Sequence, residues 1–231
     1  MDDVGVDLPE GLLDHIRGGR AAIVVGAGWG DAALGRLPVA AIWTVGPVEA
    51  VARAVADGAP DDWPERPVVS LFAAGAGARA ARQAFADAPG LQARVAEIYR
   101  CGALVLVGFE ADDPDLRVLL ERILVGFPPP ETDRHVFVGP AAPRAELLAE
   151  HGMTHVRAPA AEFLAALVRS CSHAGLTLAG QADRVDLLLA RVELLPSGPA
   201  RAAALVELAG VFEKEVGDPG RALTAIAAAV K

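Results

Sequence analysis

The sequence predicts a doubly wound α/β domain built on a parallel sheet, followed by a helical tail. Three observations carry this expectation. Short apolar runs alternate with helical patterns from residue 21 to about residue 171. The strand-like runs are continuous rather than alternating, as in Ala21-Ala22-Ile23-Val24-Val25, which marks strands covered on both faces. From about His173 onward the strand-like runs stop and only helical patterns remain.

Taken in order, Leu8-Pro9-Glu10 opens a short helix over Glu10–Arg17, with Asp7 or a neighbour as its cap and Pro9 at an early position. Strands are expected at Ala21–Val25, Ala40–Thr44, Pro67–Phe72, Ala103–Val107, His135–Val138 and His155–Arg157, most of them rich in Val, Ile or Leu and bounded by Gly or Pro. The helical patterns between them are Val48–Ala56, Ala78–Arg100 with a break near Pro89-Gly90, Asp115–Leu124, Pro143–His151 and Ala160–Ser170. Beyond them Ala182–Leu195, Ala200–Lys214 and Pro219–Val230 read as three helices. Leu205, Leu208, Ala209 and Phe212 share a face of the second, and Ala222, Ile226 and Ala229 a face of the third. The turn Val216-Gly217-Asp218-Pro219 ends one helix with Gly and opens the next with Asp and Pro. The expected domains are therefore residues 1–172 and 173–231.

Composition narrows the function classes. Of 231 residues, 53% are hydrophobic and 22% charged, enough for a packed core and against wholesale disorder. The formal charge of −9 argues against nucleic acid and against anionic membrane surfaces, both of which need a Lys/Arg surplus. No run of about 18 apolar residues suggests a membrane span, and Met1-Asp2-Asp3 does not open a signal peptide, so a cytoplasmic protein is expected. Cys101 and Cys171, the only cysteines, are too few for a four-thiolate zinc site and read as buried, reduced thiols.

Two turns carry the candidate chemistry. Ile23-Val24-Val25-Gly26-Ala27-Gly28-Trp29-Gly30 sets a glycine-rich turn directly after the first strand, where backbone can approach a pyrophosphate; tight turns need glycine too. Leu104-Val105-Leu106-Val107-Gly108-Phe109-Glu110-Ala111-Asp112-Asp113-Pro114-Asp115-Leu116 is a strand, a turn and a helix start, with Asp113 as N-cap and Pro114 at the first helical position.

Together these segments resemble the sirtuin-like domains of bacterial anti-phage proteins, which carry a Gly-Ala-Gly-Val-Ser turn and later a Gly-Tyr-Ser-x-x-Asp-Pro-Asp-Leu turn. The resemblance spans roughly residues 8–170, and the later turn is its more specific part. It implies a Rossmann-like fold, binding of NAD or ADP-ribose by Gly26, Ala27, Gly28, Gly108, Phe109 and Glu110, and in many members cleavage of the nicotinamide–ribose bond. Such domains often precede helical repeats, and the tail Ala182–Val230 resembles a tetratricopeptide repeat.

The departures point away from catalysis. The family's asparagine after its second strand falls in Trp43-Thr44-Val45-Gly46-Pro47-Val48-Glu49, and the chain contains no asparagine. Its histidine general base falls in Ser70-Leu71-Phe72-Ala73-Ala74-Gly75, with Phe72 nearest, and phenylalanine takes no proton. Its cofactor-contacting serine is replaced by Glu110, whose carboxylate repels phosphate. Only 11 residues separate Gly28 from Ala40, where the family inserts a helical lid.

The remaining constellations have plainer readings. His151 and His155 flank a helix end and a strand start, so they do not pair on a metal. His135 reads as a strand-edge residue, His173 as a loop residue and His15 as a surface residue. Asp112, Asp113 and Asp115 read as helix capping rather than a Mg²⁺ site. Asp61-Asp62-Trp63-Pro64 reads as a solvated loop, and Phe127-Pro128-Pro129-Pro130 as a stiff connection. The expectation is a catalytically degenerate sirtuin-like domain, with no catalytic or metal residue, acting as an interaction or nucleotide-sensing module through a protein partner or self-association of its C-terminal helices. The alternatives are an active NAD hydrolase or ADP-ribose-processing enzyme using other groups, and a structural scaffold that binds no nucleotide.

Overall fold

The computed structural model of the protein describes residues 6–29, 34–39, 41–46, 48–60, 68–128, 130, 132–176, 188–189, 191–193, 195, 198–213 and 219–229. Described residues up to 176 form one compact unit, and those from 188 to 229 belong to a second.

In the first unit, six strands form one sheet: β1 (Ala21–Val25), β2 (Ala41–Val45), β3 (Val68–Phe72), β4 (Ala103–Val107), β5 (His135–Val138) and β6 (Met153–Val156). All pairs are parallel and the order is β3-β2-β1-β4-β5-β6. The chain builds outward from β1 in one direction, then returns to β4 on its other side and builds outward again. That reversal leaves a crevice at the carboxyl ends of β1 and β4, the ligand position of open α/β sheets. The in-register pairs run from Ala21↔Ala103 to Val25↔Val107, so both strands end at the same level.

Continuous apolar composition is what this position demands. Every residue of β1, β2, β4 and β5 is buried. One sheet face presents Ile23, Val25, Ile42, Val105, Val107 and Val136 to α1 (Leu12–Arg17), α2 (Val48–Gly58) and the later helix Ala160–His173. Their Leu12, Ile16, Val51, Val55, Phe163, Leu164 and Leu167 close that layer. Each such side chain contributes about 1.5–3 kcal/mol by leaving water.

The expected helix over residues 78–100 is two, α3 (Gly77–Ala86) and α4 (Pro89–Cys101), divided where Pro89 fills the first turn of the second. After β4, α5 (Pro114–Val118) widens into a π-helical turn, Leu119–Ile123, and tightens into a 3₁₀ turn, Leu124–Gly126. Then come α6 (Ala145–Glu150) and α7 (Ala160–His173).

Several expectations are corrected. The first helix begins at Leu12, not Glu10, because Gly11 in the left-handed region (φ 77°) sets its start; no side chain caps it. The last strand is Met153–Val156 rather than His155–Arg157. Gly152 (φ +54°) turns the chain straight into it, and its carbonyl accepts the N–H of His135, so pairing starts at His135↔Met153. His173 ends α7 instead of lying in a loop. Cys101 is exposed, because α4 buries Leu91, Val95, Ile98 and Tyr99 and the thiol falls one position off that stripe; Cys171 is buried as expected.

In the second unit, α8 (Pro199–Val211) and α9 (Pro219–Ala229) pack together. Leu205, Leu208, Ala209 and Phe212 are buried as the spacing predicts. On α9, Ala222 and Ala225 are buried and Ala229 packs against the same cluster, whereas Ile226 is 41% exposed, so Ala225 takes the place expected of Ile226. Arg191 bonds Glu207 at 3.1 Å, and the Arg221 guanidinium lies 5.7 Å from the Phe212 ring centroid. Of the expected helix Ala182–Leu195, residues 188, 189 and 191–193 are helical and the others, save Leu195, lie outside the described residues, as do Asp61–Pro64, Pro129 and Val216–Asp218.

Candidate functional site

The crevice between β1 and β4 is where a doubly wound fold binds a ligand, and the two glycine turns meet there. Gly26 N–H donates to the Val107 carbonyl at 2.8 Å, and Gly28 N–H to the Gly108 carbonyl at 2.8 Å. These bonds carry the β1–β4 pairing past the strand ends, so the two turns are joined to one another.

The glycines are needed for that contact. A Cβ on Gly26 would lie 2.5 Å from the Gly108 oxygen and 2.7 Å from Cδ1 of Phe109. Gly108 has φ +75°, and a Cβ there would meet the Trp29 nitrogen at 2.4 Å. The absence of side chains lets backbone approach backbone; in a phosphate cradle the same absence lets backbone approach a ligand. Among the six residues expected to hold a nucleotide, Gly26 and Phe109 are buried, Gly108 is half-buried, and Ala27, Gly28 and Glu110 are exposed at the mouth of the crevice.

The other turns at this end are tied down as well. The Thr44 hydroxyl, near the end of β2, donates to the Val25 carbonyl at 3.3 Å. Phe72 closes β3 as a buried side chain, and its carbonyl accepts the Ser70 hydroxyl at 2.9 Å. Asp113 caps α5 as predicted, its side chain accepting the Asp115 N–H at 2.8 Å. The Asp115 carboxylate accepts the Gly75 N–H through both oxygens, at 3.1 and 3.0 Å. That clamp joins the turn after β3 to the helix after β4. It escaped sequence reasoning because its partners stand 40 residues apart and Asp115 already had an explanation as a first-turn carboxylate.

The two turns at the crevice are acidic. Those after β1 and β4 (residues 26–29 and 108–113) contain Glu110, Asp112 and Asp113 and no Lys, Arg or His, and Asp115 follows in α5; Arg144, which ends the turn after β5, is paired with Glu121 at 2.8 Å. Among the described residues no group of three or more His, Cys, Asp or Glu side chains is arranged to hold a metal ion. A ligand phosphate at this mouth would meet carboxylates, and the two glycine amides nearest to it already have acceptors. Comparison of the chain with protein-family models, with curated proteins and with solved structures gave no match.

Proposed function

We propose that this chain is a catalytically silent, sirtuin-like Rossmann module whose role is protein interaction, in a cytoplasmic bacterial assembly of the anti-phage kind. The observation that carries the reading is the backbone bond from Gly28 to Gly108, with its neighbour from Gly26 to Val107. Amides that would hold a pyrophosphate are bonded within the protein, and the rim around them is acidic. Phe72 at the place of the proton acceptor and the inward-bonded Thr44 support the same reading. No helix among the described residues is long and apolar enough to cross a membrane. The charge of −9 disfavours a nucleic-acid partner, so a protein surface is the partner class that remains, with a second copy of this chain as the specific candidate.

The test pairs two measurements on the full chain. Calorimetry with NAD, ADP-ribose and AMP should give no binding heat, and NAD incubated with the protein should release no nicotinamide. Saturable binding of any of the three, or nicotinamide release that scales with protein concentration, would overturn the reading in favour of a sensor or an enzyme.

A further inference from the structure

At the end of the sheet opposite the glycine turns, the strand starts enclose Tyr99, His135 and His151, with His15 beside them. Tyr99 lies in α4, His135 opens β5, and His151 follows α6. The Tyr99 ring stacks on His135 with centroids 4.8 Å apart, and its hydroxyl bonds Nδ1 of His151 at 2.6 Å. Nδ1 of His135 accepts the N–H of Leu104, in β4, at 3.1 Å. Both histidines are buried, and among the described residues Nε2 of His135 and Nδ1 of His15 are buried nitrogens with no hydrogen-bond partner. His15 is thus half-buried, not the surface residue expected from sequence, and His135 is wholly enclosed at the strand start.

The Leu104 bond requires a neutral His135 ring. A ring nitrogen that accepts from an amide carries no proton, so protonating Nδ1 of His135 would set two donors against each other. The Tyr99 hydroxyl and Nδ1 of His151 share one bond whose donor is set by the tautomer, and the Leu120 backbone favours a charged His151 ring. The groups facing the cluster act on the charge as follows. Arg134, His15 and His151 oppose a cation on His135, and the Tyr99 backbone favours one. Arg20 and Arg134 oppose a cation on His15, and Asp14 favours one; Glu150 favours one on His151. Burial is the largest influence on each ring, and all three are held below the ordinary histidine range, His135 at about 3.

We propose that this cluster is an acid-released latch: neutral His135 ties β5 to β4 through Leu104 and stacks on Tyr99 of α4, and its protonation opens this end of the sheet while the glycine-turn end stays closed. The proposal is independent of what the glycine turns bind. The sign follows from the ring. Opened, His135 returns toward its ordinary value near 6.5 and takes up a proton that the closed form excludes. The latch is therefore held fully above about pH 6.5 and weakens as pH falls. The opening constant rises about 10-fold per pH unit for one histidine that charges on opening.

Hydrogen exchange on the full chain between pH 7.5 and 4.5, corrected for intrinsic rates, reads this directly. The Leu104 amide should lose protection steeply with acid, while those of Gly26 and Gly28 keep theirs. His135→Gln, which retains an acceptor without a titrating ring, should flatten the response at Leu104. Ring titration followed by NMR in the unmodified protein should show His135 neutral down to pH 5, and does not depend on any variant folding. A flat Leu104 response, parallel loss at Gly26 and Gly28, or a His135 ring that titrates near 6.5 in the folded protein would each overturn the latch.

Discussion

The Gly108 carbonyl accepts the Gly28 N–H at 2.8 Å, one step beyond the bond from Gly26 to Val107 that extends the β1–β4 ladder. A glycine-rich turn after the first strand of a doubly wound sheet can aim its amides outward at a ligand or inward at the neighbouring turn. In this molecule the amides of Gly26 and Gly28 point inward. The glycine pattern is the same in both cases, and only the partner of the N–H groups separates them.

Substituting the two glycines should therefore give unequal results. Gly26→Ala places a methyl group 2.5 Å from a backbone oxygen at a buried position, and the turn after β4 must shift to admit it. The expected loss is about 2–3 kcal/mol. In Gly28→Ala the methyl group lies 3.2 Å from the same oxygen at an exposed position, and the loss should stay below about 1 kcal/mol. Urea unfolding of both variants measures the difference, and equal midpoints would contradict the packing account.

Glu110→Ser places a hydroxyl in the turn after β4 and removes a carboxylate from the mouth of the crevice. If charge alone excluded a nucleotide, this variant would acquire affinity for ADP-ribose or AMP. The bonded glycine amides remain in place, so calorimetry should show no binding to either form. Binding to Glu110→Ser but not to the unmodified chain would assign the exclusion to the carboxylate instead.

Much of this arrangement was legible in the sequence, and the limits are physical. The strands of the sheet interior announce themselves because burial on both faces requires unbroken apolar runs, as at Ala21–Val25 and Ala103–Val107. Strand β6 lies at the sheet edge, where Thr154 is exposed and His155 satisfies its Nε2 by donating to the Gly139 carbonyl, so its residues looked less strand-like and were placed two positions late. Asp113-Pro114 was readable as a cap because capping is local. The bonds from Gly28 to Gly108, Gly75 to Asp115 and Tyr99 to His151 are not local, and nothing in the immediate neighbours of these residues signals them. The π-helical turn is similarly hidden, since Leu119, Leu120 and Ile123 fit an ordinary amphipathic helix.

Asp115→Ala should separate the clamp from the cap. Removing the carboxylate frees the Gly75 N–H at an exposed site, for a loss of about 1 kcal/mol. Asp113→Ala removes the N-cap and should cost a similar amount, about 1 kcal/mol. The variants differ in where the effect appears. Hydrogen exchange at Gly75 should accelerate in Asp115→Ala and change little in Asp113→Ala, and an equal response at Gly75 would mean that the clamp acts only through the helix start.

The two cysteines should react very differently. Cys101 is exposed at the end of α4, whereas Cys171 lies inside the α7 layer, and burial pushes its thiol up to about 11. Near neutral pH a thiol-specific reagent should modify one equivalent quickly and the second only on unfolding. Peptide mapping should place the fast site at Cys101. Rapid modification at Cys171 in the native protein would mean that α7 opens on the timescale of labelling.

The helical unit supplies the test of the interaction reading. Leu223 is 71% exposed and Ile226 41%, three residues apart on α9 and therefore on one side of it, while Ala222 and Ala225 take the buried side. Single exposed apolar residues are ordinary, but two on one side of a helix form an apolar patch that a second copy presenting the same face would cover. The full chain should thus show a light-scattering mass above the 23.8 kDa of one copy, with the excess falling on dilution. Leu223→Glu combined with Ile226→Glu should return the mass to that of a single copy while shifting stability by less than about 0.5 kcal/mol, because neither side chain belongs to the buried cluster. If the doubly substituted chain keeps the mass of the unmodified one, self-association through this face of α9 is wrong.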